Sequence, residues 1–333
     1  MKIGMTQKIE ISYRTIIFTV FFLLSLWLLF QIRYLLVILF VGTIMMSALN
    51  PLVTRLEKLK IPRAVAAILI YLVIFGFFIA ILATLIPPLI NQTSILISHL
   101  PDYFRYFNLP PIDGDFLNSQ INQLLAPVGS FSLGVIRTTL GILSNFIVIF
   151  TLIFVSFYLL LERKHLDEYL LKLFGAEGAK RVAKVIDKIE RRLGEWVRAQ
   201  ISLMLIVGIM CYIGLVILGI DFALPLAILA GILEIVPNVG PILSAIPAIL
   251  IGLGVTPVMG LAVAALYFLV QQVENQIIVP QVMRQEAGVN PLVTILALIA
   301  GFKIGGAAGA VLSIPFVILV EILLAEFLAS KKT

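Results

Sequence analysis

The chain has 333 residues, of which 61% are hydrophobic and only 13% are charged. Soluble domains carry about 25% charged residues, so this composition excludes an ordinary soluble protein and indicates one that crosses a membrane several times. The net charge of +6 is concentrated in a few loops, which is typical of membrane orientation and not of nucleic-acid binding.

Six apolar stretches are long enough to cross a bilayer, whose hydrocarbon core takes about 20 helical residues. The first two are separated only by Arg33, so they form a tight helical hairpin, which Asn50 and Pro51 are expected to end. Prolines 87 and 88 end the third stretch. The predicted full spans are 15–31, 34–49, 64–86, 138–161, 199–220 and 257–279.

Basic residues outside these spans fix the orientation. They cluster before the first span, between the second and third spans, and in 162–198, and two lysines lie in the C-terminal tail. The positive-inside rule places these segments, and with them both termini, in the cytoplasm of a protein of the cytoplasmic membrane. The acidic insert 89–136 is then external, where it resembles a small amphipathic cap.

The segment 162–198 has the pattern of an amphipathic helix. Apolar residues recur in it at three- and four-residue spacing, and basic residues occupy the other faces. Such a helix either lies on the anionic inner leaflet or packs on neighbouring subunits or cytoplasmic loops.

The two remaining apolar stretches, 222–255 and 291–329, are each broken near the middle by proline or glycine, which weaken a helix. We predict two re-entrant helical hairpins, arranged with the neighbouring spans as an inverted repeat around a site near the midplane. The alternative is an eight-span fold in which these stretches cross fully. The predicted hinge and hairpin-tip residues are Pro237, Gly240 and Pro241, and Gly301, Gly305, Gly306 and Gly309.

The sequence therefore predicts an all-α polytopic membrane protein in three parts. Residues 1–161 are expected to form a scaffold, 162–198 a cytoplasmic amphipathic helix, and 199–333 a transport domain. The closely paired N-terminal spans and the faces of small residues also favour a homo-oligomer in the lipid bilayer.

Ionisable and amide side chains inside the apolar runs are the candidate site, because a charge in the bilayer costs about 2.5–3.5 kcal/mol on insertion scales. Glu234 either binds a cation or proton or caps the following helix. Glu274 coordinates a ligand, bonds between helices, or lies near the inner headgroups, since Pro280 is close. Lys303 either pairs with one of these glutamates or faces the cytoplasm. The candidate binding residues are Glu234, Asn238, Gln271, Gln272, Glu274, Asn275 and Lys303.

Several chemistries have no support in the sequence. There is no GxxxxGK[ST] motif for an ATP-driven motor, and no HExxH or credible protease constellation. His99, His165 and the single Cys211 are isolated, so neither a metal site nor a disulfide is expected. We expect no catalytic residue and no cofactor, and hence no enzyme.

Three long blocks resemble the autoinducer-2 exporter family, whose members are also called permeases: EIVPNVGPILSAIP (234–247), QQVENQIIVPQVM (271–283) and NPLVTILALIAGFKIGGAAGAVLSIP (290–315). The resemblance extends over nearly the whole chain and implies a multi-span inner-membrane transporter. It departs at Asn238, where relatives commonly carry an aromatic residue. The positions to which the resemblance points are Glu234, Pro237, Gly240, Pro241, Gln272, Glu274, Asn275, Pro280, Pro291 and the glycine-rich 301–309.

The leading functional hypothesis is a secondary transporter of a small polar solute, similar to autoinducer-2, that works by alternating access and is coupled to H⁺ or Na⁺. A second hypothesis is a cation/proton antiporter, in which Glu234 or Glu274 exchanges a proton for Na⁺. A third is a non-transporting scaffold that recruits partners through 89–136 and 162–198.

Overall fold

The computed structural model describes residues 13–80, 83, 135–237, 239–282 and 291–330. These residues are mostly helical and contain no strand, so the predicted all-α membrane fold is confirmed. The helices are α1 (Tyr13–Gln31), α2 (Arg33–Lys58), α3 (Arg63–Ala80), α4 (Val135–Glu162), α5 (Leu166–Ile217), α6 (Ala223–Leu233), α7 (Val239–Val255), α8 (Pro257–Val273), α9 (Val279–Val282) and α10 (Pro291–Ser330).

Six helical stretches of the described chain are long and apolar enough to cross a membrane. They are Tyr13–Gln31, Arg33–Lys58, Arg63–Ala80, Ile147–Ile217, Pro257–Val282 and Leu292–Ala329. This agrees with the expectation of about six long spans, whereas the exact number of crossings stays a prediction. Nearly all of the external insert 89–136 lies outside the described residues.

The second helix is longer than predicted. We expected Asn50 and Pro51 to end it, but α2 continues through Pro51 to Lys58, so that prediction is wrong. Pro51 lacks an N–H and deprives the Ser47 carbonyl of its partner within the helix. That carbonyl lies directly against Gly194 of α5, at a place where any Cβ would overlap it. The helix contact thus covers the group that the proline leaves unpaired.

The N-terminal helices pack as a small bundle of α2, α3 and α4. Its core contains Val53, Ala66 and Leu160, none of which is exposed. Arg63 at the start of α3 joins the three helices, because its guanidinium donates to the Leu160 carbonyl at 2.7 Å and to Asn50 Oδ1 at 2.7 Å. By contrast, α1 buries none of its side chains in the chain.

Helix α5 connects the two halves of the molecule. It follows a short 3₁₀ turn (Arg163–His165), bends at Gly175, where φ is +67°, and then runs to Ile217. Beyond Gly175, the predicted cytoplasmic helix and the fifth span are therefore one continuous helix. The apolar stripe of 162–198 packs inside the chain, where Leu193 and Trp196 contact Ile44 of α2 and Ile318 of α10.

Both predicted breaks in the C-terminal half are present. Helices α6 and α7 are separated by a turn that begins at Glu234, and α10 breaks at Gly305 and Gly306, where φ is +60° at Gly306. The two arms of α10 fold back on each other, since Gly301 lies against Gly309 and Ser313. Whether these hairpins are re-entrant stays a prediction.

Candidate functional site

Helix α6 lies antiparallel against α5 because small residues allow the two backbones to approach. A Cβ on Gly231 would be 2.7 Å from the Met204 carbonyl, and Gly208 faces Ala227 in the same way. Glycine contacts of this kind hold helices together in membranes, where the hydrophobic effect between helices is absent. The packing fixes the register of α6, so that Glu234 at its end lies opposite the beginning of the fifth predicted span.

The turn after α6 is tight and depends on Gly240. The Gly240 N–H donates to the Val236 carbonyl at 2.9 Å, and a Cβ at this position would overlap the Leu233 carbonyl oxygen. No side chain larger than hydrogen fits here unless the backbone moves. The turn therefore presents Glu234 to the interior in a defined position.

Glu234 and Glu274 form a buried carboxyl pair. Glu234 is 0% exposed and Glu274 is 3% exposed, and their carboxyl groups lie within hydrogen-bonding reach of each other. Neither carboxyl oxygen of Glu234 has a hydrogen-bond donor among the described residues. Gln271 Nε2 donates to Glu274 Oε2 at 3.3 Å.

Glu274 reaches this position through an irregular stretch of helix. It begins a π-helical segment, Glu274–Ile278, that joins α8 to α9. Pro280 follows, and a proline ring clashes with the carbonyl four residues earlier in a regular α-helix. The wider π turn relieves that clash, and π bulges are frequent at functional sites.

Three further residues surround the pair. Gln200 of α5 is 3% exposed and its Nε2 donates to the Glu234 carbonyl at 2.6 Å, while its Oε1 has no donor in the described part of the chain. Tyr267 of α8 places its hydroxyl beside the thiol of Cys211. The Cys211 thiol also lies within electrostatic range of the carboxyl groups of Glu234 and Glu274.

Gln200, Cys211 and Tyr267 were not among the site residues predicted from the sequence. A glutamine beside the basic segment 162–198 is easily taken as interfacial. Gln200 does, however, share a face of α5 with Met204, Gly208 and Cys211, at spacings of four, eight and eleven residues. That spacing is the signal that would have placed Gln200 opposite α6.

The remaining predicted site residues are not all in the pair's neighbourhood. Gln272 and Asn275 are exposed on the other faces of the helix that carries Glu274, and Lys303 is exposed near the tip of α10. Asn238 lies outside the described residues. The α10 hairpin packs on α5 and does not pack closely on α6 or α7 within the described chain.

The electrostatics of the pair follow from these neighbours. No lysine or arginine in the described residues forms an ion pair with either glutamate. Two ionised carboxyls in contact and away from water repel each other, and burying each costs several kcal/mol. The arrangement therefore calls for a proton or another cation. The described residues contain no cluster of three His, Cys, Asp or Glu side chains that would hold a multivalent metal.

A separate cavity of about 500 Å³ lies away from the pair, between α2, α4 and α5. Its walls are mainly apolar, including Leu39, Phe40 and Ile189, and Arg163 lies at its border. Arg163 is engaged in ion pairs with Asp187 and Glu190. This cavity lacks the unpartnered polar atoms that mark the carboxyl pair.

Long apolar helices around a buried acidic pair define a multi-pass membrane protein with a polar interior site. Comparison with known proteins identifies the group to which it belongs. The family model described as AI-2E family transporter matches residues 16–329. The chain belongs to this family of membrane transporters, which confirms the family expected from the three sequence blocks.

Individual relatives are named as transport proteins. The chain is 30% identical to "Putative transport protein YueF" of Bacillus subtilis over 80% of this chain and 77% of the relative. It is 24% identical to "Putative transport protein YrrI" of the same organism, over 93% and 92%. It is 28% identical to "AI-2 transport protein TqsA" of Escherichia coli, over 84% and 82%.

Proposed function

We propose that this protein is a secondary transporter that moves a small polar solute by alternating access and couples the movement to protons at the Glu234–Glu274 pair. The observation that carries this proposal is the burial of two neighbouring carboxyl groups without a basic partner among the described residues. A buried acidic pair is costly for folding, so its presence in a transporter favours a role in binding a charged partner.

Coupling follows from the charge of the pair. With a proton bound, the pair carries less charge and is compatible with a closed, dry site; without it, repulsion and the loss of hydration favour a state open to water. Exchange between the two states moves a proton only when the site opens alternately to the two sides. The broken helices α6–α7 and α10 are the elements we expect to move, since short helix segments joined by glycine turns can reorient without unfolding.

The polar atoms around the carboxyl pair indicate the chemical class of the transported solute. The unpartnered atoms around the pair are mainly acceptors: both oxygens of Glu234 and Oε1 of Gln200. Acceptors select a ligand that donates hydrogen bonds, which suits a small hydroxylated solute. Because TqsA carries the name AI-2 transport protein, a solute similar to autoinducer-2 is the first to test.

A second candidate is cation/proton exchange at the same pair. Carboxylate and amide oxygens are the ligands that hard cations such as Na⁺ prefer, and the described surroundings of the pair offer mainly oxygen. In this case Na⁺ and the proton compete for Glu234 and Glu274, and no organic solute is required.

The proposal includes the location and the orientation of the protein in the membrane. We place the protein in the cytoplasmic membrane with both termini inside and 89–136 outside, with 1–161 as scaffold and 199–333 as transport domain. The exposed apolar surface of α1 is available to lipid or to a second copy of the chain.

The test is transport by the purified full chain in proteoliposomes. An inward solute gradient of autoinducer-2 and, separately, a gradient of Na⁺ are imposed, while a trapped dye reports internal pH. Proton movement with autoinducer-2 alone supports the leading proposal, and proton movement with Na⁺ alone supports exchange. If neither gradient moves protons, the coupling proposed for the pair is wrong.

A further inference from the structure

Gln200, which sequence patterns did not single out, joins helix α5 to the turn between α6 and α7. Gln200 lies on α5, the helix that packs against α2, α6 and α10. Its Nε2 donates to the carbonyl of Glu234 at 2.6 Å. The two residues are 34 positions apart in sequence, and the bond is completely buried.

The partner of this bond fixes the orientation of the amide. A backbone carbonyl only accepts hydrogen bonds, so the atom that faces it must be the NH₂ group of Gln200. The oxygen Oε1 must then point the other way, and it is buried without a donor in the described part of the chain. An unsatisfied buried acceptor costs about 1–3 kcal/mol.

The carbonyl that Gln200 holds lies at the end of α6, where the backbone leaves the helix. Glu234 caps α6, and its own N–H still bonds to the Ala230 carbonyl at 3.1 Å. Gly240 closes the turn behind it. The position of the Glu234 carboxyl therefore depends on two backbone anchors, one within α6 and one supplied by Gln200.

We propose that Gln200 is a positioning residue of the transport site: its amide N–H holds the Glu234 carbonyl so that the Glu234 carboxyl meets Glu274, and its Oε1 adds a third acceptor for the transported ligand. The groups that face Glu234 are Glu274 of the π segment, Gln200 and Cys211 of α5. Gln200 is the one among them that contacts the backbone of the turn. This inference rests on the proposed function and adds the residue that aligns its pair.

The experiment compares Gln200→Met, which removes donor and acceptor at similar size, with Gln200→Asn, which keeps an amide but shortens the side chain by one methylene and so withdraws the amide from the Glu234 carbonyl. Gln31→Met, at the exposed end of α1, is the matched control. Each full-length variant is tested for amide hydrogen exchange in the α6–α7 turn, and for the apparent KM and maximal rate of transport. The probe is autoinducer-2 or Na⁺, whichever the wild type moves.

Both Gln200 variants should raise exchange in the turn and raise the apparent KM about tenfold, the usual lower range for losing a residue that orients a ligand. Unchanged amide hydrogen exchange would show that the bond from Gln200 to the Glu234 carbonyl does not hold the turn. Raised exchange with unchanged KM and maximal rate would make Gln200 merely structural. Either result overturns the inference. If Gln200→Met does not fold, Gln200→Asn decides alone, since it keeps a polar side chain and adds no buried charge.

Failure of the proposed function is recognised separately. If Glu234→Gln transports like the wild type, the carboxyl pair has no role in coupling, whatever Gln200 does. If Glu234→Gln is inactive while both Gln200 variants keep the wild-type KM and rate, only the inference about Gln200 is wrong. The amide hydrogen exchange measurement needs no solute, so it tests the bond between Gln200 and the Glu234 carbonyl whether or not the proposed function holds.

Discussion

At the scale of single residues, the site depends on two glycines and a glutamine as much as on its acids. Glu234 and Glu274 supply the charge, but Gly231 allows α6 to approach α5 and Gly240 allows the turn to close. Gln200 of the neighbouring helix α5 then donates a hydrogen bond to the backbone of the turn. The chemistry of the pair is therefore a consequence of close backbone packing.

The first prediction concerns Gly240. In Gly240→Ala the new methyl group overlaps the Leu233 carbonyl oxygen, so the turn must shift, and we expect a loss of about 1–3 kcal/mol of folding stability, typical of overpacking. The measurement is the thermal unfolding midpoint of the purified protein in detergent. Gly76→Ala is the matched control, because a Cβ at Gly76 meets nothing within 4 Å. Equal midpoints for the two variants would show that the turn is not constrained.

Single residues also mark the limit of what the sequence could reveal. Glu234 and Glu274 are conspicuous because acids are rare in apolar runs, and both were predicted as site residues. Their contact with each other was not predictable, because it depends on the register between α5, α6 and α8. Gln200 was missed for the same reason: its role exists only once Glu234 lies opposite it.

At the scale of elements, broken helices are the distinguishing feature. Helix α6 has 11 residues, which makes it about 16 Å long, roughly half of the hydrocarbon core of a bilayer. The first arm of α10, which ends at Gly305, is about 20 Å long by the same reckoning. Both of these segments are shorter than the hydrocarbon core, and the re-entrant arrangement stays a prediction.

The second prediction tests the α10 hairpin. In Gly309→Ala the methyl group overlaps the Gly301 carbonyl oxygen, so the two arms must separate. We expect faster amide hydrogen exchange along both arms and a lower thermal midpoint. Gly305→Ala is the control, since its Cβ would lie in open space and its φ of −132° suits any residue. If Gly309→Ala behaves like Gly305→Ala, the arms do not pack as described.

Helix boundaries were predicted well where the local sequence determines them and poorly where contacts with distant helices determine them. The breaks at 234–241 and 301–309 were predicted because glycine and proline interrupt helices locally. The continuation of α2 through Pro51 was not, because it depends on Gly194 of a distant helix covering the freed carbonyl. The apolar stripe of 162–198 was recognised as helical, but its partners, α2 and α10, could not be read from its own periodicity.

At the scale of the whole molecule, α5 is the axis to which the other parts are attached. It packs on α2 through Gly194, on α10 through Trp196 and on α6 through Gly208. An ion pair of 3.3 Å between Arg192 and Glu321 also joins it to α10. Gln200, near the beginning of the predicted fifth span, bonds to the backbone carbonyl of Glu234, and Cys211, near the middle of that span, lies close to the carboxyl pair.

The third prediction concerns orientation. In a Cys211→Ala background, a cysteine at exposed Lys172 should react with a membrane-impermeant thiol reagent only from the cytoplasmic side. A cysteine at exposed Asp221, beyond the other end of α5, should react only from outside. The measurement is labelling of intact cells against inside-out vesicles. Labelling of both positions from the same side would contradict a single crossing by α5.

Proton flux in proteoliposomes is the measurement that decides whether Glu234 and Glu274 carry the coupling proton. Wild type is compared with Glu234→Gln and Glu274→Gln, with Glu177→Gln on the exposed part of α5 as control. We expect each site variant to lose driven proton movement at least tenfold, about 1.4 kcal/mol or more of lost stabilisation, while the control keeps it. Full proton movement in both site variants would contradict this expectation.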